Sequence, residues 1–135
     1  MTRFAAAGAL AVLVTISHYA TAQEASVGTS SGVYTAAQAT KGEETYMNVC
    51  VACHPAGTYA TAAFREKWDG KPLAELFTQV AENMPKQEPA SLTPEEYTQL
   101  VAYLLKINDA PSGKDELPAD AAALKKFKIE MPKRE

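Results

Sequence analysis

The sequence predicts an all-α domain of three to four short helices with an extended C-terminal tail, on three observations. Apolar residues recur at helical spacing in two segments, Leu73-Leu76-Phe77-Val80 and Tyr97-Leu100-Val101-Leu104-Leu105. Helix-start signals precede both, with Pro72 before the first and Thr93-Pro94-Glu95-Glu96 before the second. No run alternates β-branched and polar residues as a half-buried strand would. The length of 135 residues, with 47% apolar and 21% charged content, describes one small domain without internal repeats or a Gly-rich phosphate loop.

The chain opens on Arg3, an apolar run from Ala5 to Ile16, and Ala20-Thr21-Ala22, the three parts of a cleavable signal peptide over residues 1–22. This run of twelve residues falls well short of the ~20 a spanning helix needs. No cysteine near the cleavage point offers lipid attachment. The mature chain, from Gln23, is expected to be soluble and periplasmic. Its first segment, 23–33, is small, polar and glycine-containing, and reads as flexible.

The domain proper is expected over 34–109. Thr35 is the N-cap of a first helix running through Gln38, Glu43, Tyr46 and Val49 into Cys50, with Gly42, Tyr46 and Cys50 on one face. A loop over 55–59 leads to a short helix from Ala62 to Trp68. Pro72 opens the next helix, which ends near Asn83, because Pro85 pushes Met84 out of the helical region. The helix after Thr93 is stopped by Asn108 and Pro111. The tail, 110–135, is expected to pack on the domain or trail from it, with a short helix over Asp120 to Phe127.

Cys50-Val51-Ala52-Cys53-His54 holds both cysteines and the one histidine beyond residue 22. In an oxidising compartment two cysteines read by default as a disulfide. A Cys-x-x-Cys dithiol enzyme would need strands alternating with helices, and a zinc site would need a second ligand pair. With His54 directly following, the pattern is the attachment site of c-type haem: Cys50 and Cys53 form thioethers and His54 ligates the iron. One covalent haem c is therefore the expected cofactor. Three or four short helices bury little surface, so the haem's apolar face becomes part of the core and the haem-free chain should be unfolded or molten.

The His54 ring N–H is expected to donate to a backbone carbonyl just downstream. For the sixth iron ligand, no second histidine exists in the mature chain, which leaves Met47, Met84 and Met131. Met47 precedes Cys50 by three residues, lies on the proximal side, and reads as core packing. Met131-Pro132 repeats the dipeptide Met84-Pro85 but lies in a tail with little expected around it. Met84, flexible and in a loop made extended by Pro85, is the expected distal ligand. With His54 and Met84 both bound, the iron keeps no open site, and the reading is an electron carrier with no catalytic residues. Only 29 residues separate His54 from Met84, and so short a span should leave a haem edge exposed.

On these residues the chain resembles the class I cytochromes c from about Tyr34 to Asn108. Gly42, Tyr46 and Cys50 resemble that family's first helix, where a glycine lets the C-terminal helix cross closely and an aromatic packs at the crossing. Leu100-Val101-Ala102-Tyr103-Leu104 resembles the C-terminal helix, and Met84-Pro85 the loop carrying the sixth ligand. The resemblance implies the cytochrome c fold. It also implies that Trp68 packs on the haem and donates to a propionate, a role that plain core packing would equally explain, with Tyr59 as a second candidate. Pro55 stands where the family often has glycine. The stretch from Asn83 to Leu117 is similar to cytochromes that accompany quinoprotein dehydrogenases.

Charge bears on partners. The mature chain carries 12 basic and 16 acidic residues, of which five basic and two acidic lie between Lys125 and Glu135. An acidic body excludes nucleic acid. The basic tail is either solvated or steers docking to a redox protein. Expected partners are a dehydrogenase donor and an oxidase or other cytochrome acceptor, with the chain a monomer or in a small complex. The alternatives are a bound cytochrome subunit of a periplasmic dehydrogenase, and a haem peroxidase or sensor with an open sixth site.

Overall fold

A computed structural model describes residues 26–133, in the order β1 (Val27–Gly28), α1 (Ala36–Thr45), α2 (Ala62–Trp68), α3 (Leu73–Asn83), α4 (Pro94–Ile107), α5 (Ala121–Leu124) and β2 (Phe127–Lys128). The signal peptide expected over 1–22 lies outside the described residues. Among the described residues, no helix is long and apolar enough to cross a membrane.

Two capping boxes start the helices that organise the rest. Thr35 accepts from Gln38 N at 3.1 Å while Gln38 Oε1 accepts from Thr35 N at 3.3 Å. Thr93 and Glu96 do the same for α4, at 3.2 and 2.8 Å. Each cap satisfies N–H groups the helix cannot, an effect of about 1 kcal/mol. A π-helical turn, Tyr46–Cys50, continues α1 into the Cys-x-x-Cys-His segment.

Helices α1 and α4 cross at Gly42, where a Cβ would run into the Gln99 carbonyl group and lie 2.9 Å from Leu100 N. Only glycine permits this approach of two backbones. Tyr46 packs on Tyr103 beside it, ring centroids 5.2 Å apart, and Lys106 pairs with Glu43 at 2.8 Å on the surface. The core adds α3 through Leu73, Leu76 and Phe77, and α4 through Tyr97, Leu100, Val101, Leu104 and Leu105.

Segment 23–33 departs from the expected flexibility over its described part. Val27 and Gly28 pair in parallel with Phe127 and Lys128, Thr29 and Val33 are buried, and Thr29 exchanges hydrogen bonds with Glu130 through N and O. The cause is tertiary: the polar N-terminal stretch finds its backbone partners about a hundred residues away, which composition does not encode.

The tail packs on the domain throughout its described length. Gln38 clamps Leu117 through both N and O, and Leu117, Leu124 and Ile129 are buried. The helix expected over Asp120 to Phe127 is only α5, capped by Asp120 on Ala122 N and Ala123 N. Past Leu124 the chain extends, because Ile129 exchanges hydrogen bonds with Gly70 N and Lys71 O, both at 2.8 Å, and sinks its side chain into the core. Met131, expected to have little around it, is half-buried against that core, and its N–H donates to Asp69 Oδ1.

Candidate haem site

The Cys-x-x-Cys-His segment winds around one carbonyl. Cys53 N and His54 N both donate to Cys50 O, at 3.2 and 2.9 Å. Tyr46, one turn earlier, donates its hydroxyl to His54 O at 2.7 Å, so the histidine backbone is tied to the helix that carries the cysteines. The His54 ring lies against Tyr59, centroids 5.3 Å apart. Asn108 at the end of α4 donates to Tyr59 O at 2.8 Å and fixes that loop from the other side.

On the far end of α3, Met84 is extended as Pro85 requires, at φ −131° and ψ 148°. Its N–H still donates to Val80 O, and its carbonyl accepts from the Tyr97 hydroxyl at 2.7 Å.

Cys50, Cys53, His54 and Met84 all line one cavity of about 530 Å³, together with Trp68, Tyr59, Leu76, Val80, Leu100 and Leu104. That volume is typical of a cofactor site. Both cysteines are free thiols, Cys50 half-buried and Cys53 exposed. Burial pushes the Cys50 thiol up from its ordinary range. It also drives the Tyr46 phenol up to about 12, with help from the neighbouring Tyr59 and Tyr103 phenols and Cys50, so Tyr46 remains a hydrogen-bond donor. The residues fit a covalently held, largely apolar macrocycle: two thiols beside an imidazole, apolar helical walls, and no carboxylate in the lining.

A family model described as cytochrome c oxidase, cbb3-type, subunit III matches residues 37–104, half of the chain. The chain is a class I c-type cytochrome and belongs to that family. No curated protein and no solved structure matches it. The family's cofactor is covalent haem c with iron, and Cys50 and Cys53 fit its attachment motif.

Trp68, one of the two equal readings above, is buried and lines the cavity. Its ring lies beneath two ammonium groups, Lys67 at 5.1 Å and Lys71 at 5.3 Å. Met47 corrects its reading as core packing: it is 50% exposed, in line with exposed Thr40 and Glu44 on the outward side of the helix. Neither Met47 nor Met131 lines the cavity.

Some residues that line or support the cavity of the cytochrome carry no sequence signal. Lys67 and Lys86 line it and give it positive charge, yet each reads in sequence as an ordinary surface lysine. Tyr97 reads as one more residue of an apolar stripe. Its hydroxyl acquires a role only through a loop folded back upon it.

Proposed function

We propose that the chain is an exported, periplasmic carrier of single electrons, its haem iron held by His54 and Met84. The observation that supports this most is that the sole histidine of the described residues and the methionine before Pro85 line the same cavity as both thiols. Haem c supplies a one-electron couple, raised in potential by a His/Met ligand pair. The chain's own residues attach and orient it: Cys50 and Cys53 through thioethers, Tyr46 by holding the His54 backbone, and the α3 and α4 side chains by excluding water. With both axial positions occupied by protein, electron transfer needs no ligand exchange and leaves no place for a substrate, which disfavours a peroxidase or sensor.

The test is an absorption spectrum of the exported protein with and without dithionite. A low-spin haem with the weak far-red band of thioether-bound ferric iron is expected, and Met84→Ala should lose that band while keeping covalent haem. A high-spin spectrum that shifts with peroxide would instead support the enzyme.

A second reading, a bound cytochrome subunit, is favoured by the family description, which names an oxidase subunit, and by exposed Met47 beside the attachment segment. Copurification with a dehydrogenase or oxidase, against turnover supported by the free protein, separates the two. A docking role for the basic tail is tested by neutralising Lys125, Lys126, Lys128 and Lys133 and measuring the salt dependence of association. Deleting the tail is unsuitable, since Leu124 and Ile129 belong to the core.

A further inference from the structure

Both residues read as axial ligands have their own carbonyl held by a tyrosine hydroxyl at 2.7 Å: His54 by Tyr46 and Met84 by Tyr97. The second of these does more than the first. Tyr97 Oη also accepts from Leu92 N at 3.4 Å, so one phenol joins the residue that ends α3 to the residue before the α4 cap. The 84–92 loop is thereby closed on itself, with Ala90 N on Ala81 O and Glu88 N on Pro85 O as its remaining backbone ties. Tyr97 is 3% exposed, so water is poorly placed to replace its hydroxyl. The phenol does not line the cavity and reaches the site only through the Met84 backbone.

We propose that Tyr97 is a positioning residue for the sixth ligand, its hydroxyl latching the Met84 loop closed over the cavity. The proposal rests on the reading of Met84 as an iron ligand. Met84 has a long, freely rotating side chain, and its own rotamers do not hold it at one place. What limits its departure is the backbone, which is fixed at its N–H by the end of α3 and at its carbonyl by Tyr97. An external ligand that replaces the thioether must wait for, or select, the open loop. Removing the hydroxyl raises the open fraction, and the apparent affinity for that ligand rises with it.

Tyr34 supplies the control. It donates an equally buried phenol to Ala110 O at 2.6 Å and does not line the cavity. The holo forms of wild type, Met84→Ala, Tyr97→Phe and Tyr34→Phe are titrated with imidazole in the ferric state, and their urea stabilities are measured.

Tyr97→Phe should keep covalent haem and the thioether band, and bind imidazole roughly tenfold more tightly, the weight of one buried hydrogen bond. Tyr34→Phe should lose comparable stability with wild-type imidazole affinity. Wild-type affinity in Tyr97→Phe, with the band present in wild type and lost in Met84→Ala, overturns the latch and leaves the ligand assignment standing. Absence of the band from wild type overturns the assignment and the latch with it.

Should Tyr97→Phe fail to fold, amide exchange on the wild type decides. Saturating imidazole should speed exchange of Leu92 N–H and spare Gly113 N–H, which donates to Tyr34 O. Unchanged Leu92 exchange overturns the latch.

Discussion

Gly42→Ala should destabilise the cytochrome although alanine is the better helix former. The substitution gains about 1 kcal/mol of helix propensity. Against that, the new methyl meets the Gln99 carbonyl group and sits 2.9 Å from Leu100 N, inside the ~3.5 Å at which heavy atoms rest. These are backbone atoms, with no rotamer through which to withdraw, so α1 must move away from α4. Overpacking of this kind costs about 1–3 kcal/mol. The displacement also loosens the Tyr46–Tyr103 pair, the type of contact that contributes about 0.5–1.5 kcal/mol. The net loss is about 2 kcal/mol, or a fall in Tm on the order of 10 °C for a domain of this size. Thermal and urea unfolding of the holoprotein, followed by circular dichroism, measures it. A variant as stable as wild type, or more stable by the propensity gain, would refute the close crossing as the reason for glycine.

Ile129→Ala removes a fully buried side chain and should cost about 2–5 kcal/mol, with β1 amides losing exchange protection before those of α4. Burial holds the Tyr34 phenol above its ordinary value of 10.0, so the fold keeps it neutral. The associated stability is complete below the ordinary phenol pKa and is lost as pH rises through the higher folded value. Tyr34→Phe should therefore flatten the decline of stability above pH 10.0, read by urea unfolding across that range. Changing Cys50 or Cys53 to Ser should weaken or prevent haem attachment, seen by haem absorbance after denaturing electrophoresis. The haem-free chain should be unfolded or molten, and a well-protected apoprotein by hydrogen exchange would refute the haem's place in the core.

Local signals account for what was legible in the sequence. Thr35, Thr93, Pro94 and Glu96 mark helix starts because a cap is made within four residues. Pro85 sets Met84 extended because the clash is between neighbours. Met47 shows the reverse: its nearness to Cys50 suggests a packed face, whereas helical spacing aligns it with exposed Thr40 and Glu44. The short helix in the tail was overextended because Lys125 to Phe127 have no local reason to leave it. They leave because Ile129 pairs with the loop between α2 and α3.

By itself the sequence determined the cofactor, a motif that fits its attachment and the positions of four helices, all of which depend on covalent chemistry or on interactions within one turn. The tertiary structure alone decided that β1 pairs with β2, that Lys67 and Lys86 line the cavity, and that Tyr46 and Tyr97 hold the carbonyls of His54 and Met84. A hydroxyl finds its acceptor only when separate segments meet in space, and no spacing along one chain records that meeting.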